Sequence, residues 1–409
     1  MKQEVTSKKV FIKSFGCQMN VRDSEVICAL LRANSYELTA EPGEADIVIF
    51  NTCSVRQHAE DKVWSEIGRI AKCRITGYPD NRIAVNKPII GLVGCMAQNY
   101  KEQVFERCPH VDFVVGPSDI HKIPEIIKQL SAVSLQPSAK SLFERKIWET
   151  DGEIRPEEIY HLGFYEDKEH AYVVISEGCS NMCSYCVVPY VRGALRNRSY
   201  KDILREIEEA IAKGITKITL LGQNVNAYKS QGHKVSAQAS PKGTKSQVNF
   251  IDLLKMVDEI KGLKEFSFIT SHPRDTSIEL FKAMADCGRL KKYLHLPVQS
   301  GSDNILERMN RGYTRKFYLD LVGNYRKIVK GGVLSTDIIV GFPGETEADF
   351  QDTYNLIKEI QFDSAYIFKY SPRPHTEALK WPDDVPKEEK ERRHKLILDL
   401  QKKISRRKK

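Results

Sequence analysis

The sequence lacks any run approaching the roughly 18 uncharged apolar residues that a membrane-spanning helix needs. Residues 1–9 are polar and charged, without the apolar stretch of a secretory signal. The expectation from these two absences is a cytoplasmic protein with no membrane partner. No self-similarity appears at a period of about 20 to 50 residues, which excludes solenoids and propellers. Hydrophobic residues at 41% and charged residues at 29% exclude a disordered or fibrous chain. A surplus of one charge sign is also modest. The 63 Lys and Arg against 54 Asp and Glu leave +9, which permits a polyanionic partner without demanding one. At about 150 residues per domain, 409 residues make two or three domains.

Cysteine, by contrast, is plentiful. There are ten: Cys17, Cys28, Cys53, Cys73, Cys95, Cys108, Cys179, Cys183, Cys186 and Cys287. In a reducing compartment such clusters point to metal binding or catalysis more than to disulfides.

The fold class reads as α/β. Short β-rich runs at 9–15, 46–50, 89–93 and 111–115 alternate with helical patterns at 23–32, 59–71 and 101–106. Such alternation predicts an open parallel sheet of Rossmann or flavodoxin type, placed here at 8–128. Weakly periodic, polar residues follow, with Pro137 and Pro156 inside, and 129–167 reads as a linker. A second series has strands at 171–175, 217–221, 265–269, 293–296, 334–340 and 364–370, with helices between them, over 168–404. Six β/α units suit an open or partial barrel, (β/α)6, with its chemistry at the carboxyl ends of the strands. The segment 228–248, rich in Ser, Gly, Gln and Lys, reads as a flexible surface loop. The end, 401–409, carries six basic residues in nine: either a phosphate-contacting tail or a solvated helix end.

Cys179, Cys183 and Cys186 fall within eight residues directly after a predicted strand. Three thiolates on one loop can bind three corners of a metal cluster. A structural zinc site needs four ligands, and no second CxxC or HxxxH supplies the fourth, although a distant ligand could be borrowed. Three cysteines suit a 4Fe–4S cluster with one open iron, which can take an exogenous ligand such as the amino-acid part of S-adenosylmethionine. This spacing, with Tyr185 before the last cysteine, resembles the radical S-adenosylmethionine enzymes. In that resemblance Gln223, Asn224, His295, Gln299, Ser300, Asp337 and Gly341, at predicted strand ends, are the candidate contacts to the adenosine and methionine moieties. Each could equally serve a structural turn, as could His272.

A second pattern repeats three times: strands ending at Gly16-Cys17, at Asn51-Thr52-Cys53 and at Gly94-Cys95. The carboxyl ends of parallel strands line one edge of a sheet, so three cysteines far apart in sequence can meet there. Either they form a second three-thiolate cluster site, or each is a buried cysteine at a tight turn. Cys28, Cys73, Cys108 and Cys287 read as structural.

Phe15-Gly-Cys-Gln-Met-Asn20, Asn51-Thr-Cys-Ser-Val-Arg56 and Val93-Gly-Cys-Met-Ala-Gln98 resemble the N-terminal domain of the methylthiotransferases. The cysteine loop continuing to Pro189-Tyr190, with Leu221-Gly-Gln-Asn-Val-Asn-Ala-Tyr228, Ser271-His-Pro-Arg-Asp275, His295-Leu-Pro-Val-Gln-Ser-Gly-Ser302 and Tyr370-Ser-Pro-Arg-Pro374, resembles their radical domain. The first and second motifs look like the MiaB-type branch, which adds a methylthio group to C2 of a prenylated adenosine beside the anticodon of tRNA. Sister branches act on threonylcarbamoyl-adenosine or on an aspartate of a ribosomal protein. A non-catalytic iron–sulfur protein that binds RNA or carries sulfur is the alternative of a different class. The resemblance implies two 4Fe–4S clusters: one at Cys179, Cys183 and Cys186 that cleaves S-adenosylmethionine, and one at Cys17, Cys53 and Cys95 that holds the sulfur. Its implied partners are the anticodon stem-loop of tRNA, an electron donor such as a flavodoxin or ferredoxin, and a sulfur donor of unspecified kind. Arg192 and Arg198 are its candidate substrate contacts, or else a turn with ordinary ion pairs. Leu195 and Asn197 stand where the family usually has an acidic residue and a serine. The family's small C-terminal RNA-binding barrel, called TRAM, is expected to be absent.

Overall fold

The computed structural model describes residues 7–54, 57–76, 88–133, 146–152, 154–231 and 247–408, without the side chains of 57–59, 73–76, 133 and 231. Arg56, the Cys73 side chain, most of the expected loop at 228–248 and the final Lys409 lie outside the described residues. The chain divides into two compact units, Met1–Lys168 with Tyr190–Gly193, and Glu169–Pro189 with Ala194–Lys409.

The first unit is built on β1 (Lys9–Ser14), β2 (Glu37–Leu38), β3 (Ile47–Thr52), β4 (Ile89–Gly94), β5 (Phe113–Val115) and β6 (Ile147–Glu149). All pair in parallel, in the order β2-β1-β3-β4-β5-β6, a flavodoxin-type order extended by one strand. Helices α1 (Gln18–Ala33), α2 (Gln57–Thr76), α3 (Cys95–Tyr100), α4 (Gln103–Arg107) and α5 (Ile123–Val133) connect the strands. Every residue of β3 is buried. Its continuous Ile47-Val-Ile-Phe50 run is what a strand covered on both faces requires. Val48 and Phe50 pack with Val63, Ile67, Ile90, Leu92 and Val114 in one cluster. The register pairs Ser14 with Asn51, and Asn51 with Val93, so the carboxyl ends of β1, β3 and β4 finish side by side.

In the second unit six parallel strands follow one another: β7 (His170–Val174), β10 (Lys217–Leu221), β13 (Glu265–Ile269), β14 (Tyr293–His295), β15 (Val333–Val340) and β16 (Ser364–Lys369). A bridge from Phe266 to Leu290 joins the first three strands to the last three. Two antiparallel pairs decorate this partial barrel: β8 (Ser176–Glu177) with β9 (Arg196–Asn197), and β11 (Lys229–Gln231) with β12 (Gln247–Asn249). The helices are α6 (Val188–Arg192), whose last three residues belong to the first unit, α7 (Tyr200–Ala212), α8 (Phe250–Asp258), α9 (Ile278–Asp286), α10 (Asp303–Arg308), α11 (Arg315–Ile328), α12 (Glu347–Ile360) and α13 (Lys387–Arg407). Helix α12 starts at a capping box in which Thr346 and Asp349 satisfy each other's backbone N–H. Among the described residues no helix is long and apolar enough to cross a membrane.

The segment expected to be a linker departs from expectation. Residues 147–149 pair with β5 as β6, and Arg155, Ile159 and Tyr160 are buried. A three-residue strand, Ile147-Trp148-Glu149, is too short to show a period of two.

Candidate metal centres

In the first unit the three strand-end cysteines come together. Gly16 has φ of +120°, and a Cβ there would stand 2.1 Å from Cys53 Cβ, so the β1 turn lies directly on Cys53. Gly94, with φ of +90°, presses in the same way on Asn51 Oδ1 and the Thr52 carbonyl. Both turns need glycine. Asn20 Nδ2 donates to Asn51 Oδ1 at 3.0 Å, and Asn51 Nδ2 donates to the Asn20 carbonyl at 2.7 Å, tying α1 to β3. Cys17 caps the start of α1, and Cys95 opens α3. A helix N-terminus favours thiolate over thiol. A hydrogen bond from Cys53, helped by the Arg192 guanidinium, outweighs burial and brings the Cys17 thiol down to about 6. Burial pushes Cys95 up, opposed by Arg192, which hydrogen-bonds to it.

In the second unit the loop between β8 and α6 carries Cys179, Cys183 and Cys186. Gly178 and Met182 both take positive φ, +74° and +47°, turning the chain so that the three thiols sit within electrostatic reach of one another. The loop is pinned from outside: Ser184 N–H donates to the Met309 carbonyl at 3.1 Å, and Asn310 Nδ2 to the Met182 carbonyl at 3.0 Å. Burial raises the Cys179 thiol and pushes Cys186 up to about 12. Arg311, 4% exposed, donates to Cys183 Sγ at 3.4 Å, to the Tyr185 hydroxyl at 3.3 Å and to the Pro297 carbonyl at 2.8 Å. Among the described residues no three His, Cys, Asp or Glu side chains converge on a point that would seat a single metal ion. In an iron–sulfur cubane each thiolate binds a separate iron, so its sulfurs stand apart.

The barrel's strand ends pass a fit test for a small polar ligand. Ser176 Oγ, Gln223 Oε1, Asn224 Oδ1, His272 Nε2 and Gln299 Oε1 are buried without a hydrogen-bond partner among the described residues. Buried polar atoms are ordinarily paired, so these five suit the amino, carboxylate and ribose groups of a nucleoside-bearing amino acid. His272 Nδ1 accepts from the Arg274 N–H at 3.2 Å, leaving Nε2 to carry the proton. Burial, with Arg311 and Arg274 nearby, brings its pKa down to about 2, so the ring is neutral.

The other sequence-predicted residues divide. Gln299 has φ of +73° and pairs its backbone with Asp337 and Ile339. His295 holds Ser335 Oγ at 2.8 Å and Asp337 Oδ2 at 3.3 Å, and its ring meets that of Tyr366, which is half exposed. Four other candidates hold partners inside the protein. Ser300 is fully buried against Thr353 Oγ1 at 3.2 Å and accepts the Ser302 N–H. Gly341 donates its N–H to Glu345 Oε2 at 2.6 Å and lies against Lys390. Arg198 is 5% exposed, with Asp202, Glu206 (2.5 Å) and the Val174 carbonyl on its guanidinium, the ion-paired arrangement of its alternative reading. Arg192, also 5% exposed, joins Asp23 at 2.7 Å in the first unit, beside Cys95. Burial pushes the Cys28 thiol up to about 12 and raises that of Cys287. Arg311, Asp23 and Arg155 went unnoticed in the sequence. Their partners lie 128, 169 and 132 positions away, and nothing local marks them.

The family model described as the Radical SAM superfamily matches residues 173–357, and that of the Uncharacterized protein family UPF0004 matches 9–116. The tRNA-2-methylthio-N(6)-dimethylallyladenosine synthase of Clostridium novyi is 42% identical over 412 residues, covering 99% of this chain and 84% of its own length. That of Moorella thermoacetica is 39% identical, covering 98% and 84%. Among solved structures, the radical S-adenosylmethionine methyltransferase TsrM of Kitasatospora setae superposes with a TM-score of 0.59 at 14% identity, over 91% of this chain and 75% of that one, a likeness of fold.

Proposed function

The chain belongs to the radical S-adenosylmethionine methylthiotransferases, and from that premise we propose that it places a methylthio group on C2 of an N6-dimethylallyl adenosine beside the anticodon of tRNA. Its cofactors are S-adenosylmethionine and two 4Fe–4S clusters. The observation that carries the reading is the pair of cysteine trios, each formed within its own unit at the carboxyl ends of parallel strands.

Cys179, Cys183 and Cys186 are the proposed ligands of one cluster, with Arg311 donating to Cys183. Gln223, Asn224, His272 and Gln299 are the proposed contacts to S-adenosylmethionine, because each carries a buried polar atom in need of a partner. Cys17, Cys53 and Cys95 are the proposed ligands of the other cluster, Cys17 and Cys95 at helix starts and Cys53 at the end of β3. When bound, the cofactors supply the radical that activates C2 and the sulfur that replaces its hydrogen. A C2–H bond is not acidic, so no side chain here need act as a strong base. An anticodon-loop base is unpaired, so recognition needs no duplex melting. The half-exposed Tyr366 ring, beside the His295–Asp337 pair, is suited to stack on such a base. The cytoplasm, an electron donor such as flavodoxin or ferredoxin, and a sulfur donor complete the proposal.

The test is an anaerobic reaction of reconstituted protein with dithionite, S-adenosylmethionine and tRNA bearing the prenylated adenosine, read by mass spectrometry of digested nucleosides. The 2-methylthio nucleoside is expected. Formation of 5′-deoxyadenosine with an unmodified nucleoside would overturn the substrate, and threonylcarbamoyl-adenosine tRNA would then be tried. With the first trio changed to alanine, 5′-deoxyadenosine persists and methylthiolation stops.

A further inference from the structure

A buried ion network stands behind the first trio. Asp23, six positions after Cys17 on α1, has a side chain only 1% exposed. Its Oδ1 accepts from Arg155 at 2.8 Å and its Oδ2 from Arg192 at 2.7 Å, and both arginines are themselves buried. Arg155 is fixed in turn by the Tyr160 hydroxyl at 3.0 Å and the Pro117 carbonyl. Arg192 comes from far along the chain, on the short excursion Tyr190–Gly193 that belongs to the first unit. Its guanidinium hydrogen-bonds to Cys95 and acts electrostatically on Cys17. A carboxylate that holds two guanidiniums orients both. Burying such a network is costly, and its return is a fixed geometry. Hydrogen bonds and charge around the sulfurs of a cluster set its potential and its affinity for further ligands.

We propose that Arg192, held from behind by Asp23 and Arg155, is a positioning residue of the Cys17–Cys53–Cys95 site, presenting a fixed positive charge that retains an anionic sulfur ligand there. The inference rests on the cluster assignment made above. It gives Arg192 a task other than tRNA binding. The chemical class of ligand is a small thiolate or hydrosulfide, whose negative charge the guanidinium balances beside the buried Cys53 and Cys95. Its geometry also explains why the arginine needs Asp23: an unrestrained side chain would turn toward solvent and lose the charge.

The experiment uses the reconstituted two-cluster protein, reduced, with S-adenosylmethionine saturating the other site. Sodium methanethiolate is titrated in, and binding is read from the electron paramagnetic resonance signal, alongside iron and sulfide content and the cluster's midpoint potential. Arg192→Gln is expected to keep its iron, bind methanethiolate about 10- to 100-fold more weakly, and shift the potential to more negative values. Arg192→Lys keeps the charge and is expected to recover most of the affinity. Unchanged binding and potential in a loaded Arg192→Gln protein would overturn the proposal, as would equal losses in the Gln and Lys variants. Should Arg192→Gln fail to fold or to load, Asp23→Asn decides by the same titration: weaker binding supports the proposal and unchanged binding refutes it. Failure of the underlying assignment is distinguishable, because unmodified protein would then show no methanethiolate response and would hold as much iron as Cys53→Ala.

Discussion

At Arg198 one guanidinium lies between the carboxylates of Asp202 and Glu206, and all three side chains are buried. Taking away the cation leaves two negative charges without compensation, a loss of about 3–5 kcal/mol. Arg198→Met is therefore expected to lower the melting temperature by about 10 °C, measured by calorimetry. A fall in tRNA affinity with no loss of stability would favour the substrate role. Arg198 also shows what could not be read from a single residue. Its Asp202 partner is four positions away on α7 and was visible at helical spacing, but a basic residue near a cysteine motif invites a ligand reading before an ion-pair reading. The six cysteines proposed as cluster ligands stood out in the sequence for the opposite reason. Thiolates in a repeated strand-end setting carry chemistry that few other arrangements share. Arg311 was not legible, because its value comes from Cys183, which lies far away in the chain.

At the scale of an element, the β1 turn and the α12 start each hang on one residue. Gly16→Ala puts a Cβ onto Cys53, against a backbone φ of +120°. The expected result is a protein whose iron content falls toward half, with 5′-deoxyadenosine still formed and methylthiolation at background. Iron analysis and nucleoside mass spectrometry check it. In α12, hydrogen bonds from Ser302 and Thr346 outweigh burial and hold the Asp349 carboxyl below its ordinary value. A lowered carboxylate contributes stability that is complete above its unfolded pKa, near 3.9, and is lost as pH falls through the folded value. Asp349→Ala should thus cost about 1–2 kcal/mol at pH 7. The gap in melting temperature from the unmodified chain should close on acidification below about pH 4. A gap that is constant with pH would show that the lost hydrogen bonds do not depend on ionisation. β3, with its continuous run Ile47-Val-Ile-Phe50, was legible from its apolar residues. β2 and β6, two and three residues long, borrow their conformation from the neighbour they pair with.

For the whole molecule, the net charge of +9 bears on an RNA partner. Lys402, Lys403, Arg406 and Arg407 project from the last turns of α13, all exposed. If they neutralise phosphates, changing the four to glutamine will flatten the plot of log affinity for tRNA against log salt by about 3. An unchanged slope, by filter binding or fluorescence, would leave this face simply solvated.

The first unit is not a continuous stretch of gene: it needs Tyr190–Gly193, which the chain reaches only after passing through β7 and the loop of Cys179, Cys183 and Cys186. During synthesis Asp23 emerges early and meets Arg155 first. Its second arginine follows only when the loop for the other cluster has already left the ribosome. A fragment cut at residue 168 would leave the buried Asp23 one arginine short, because Arg192 follows Cys186 by only six positions in the chain.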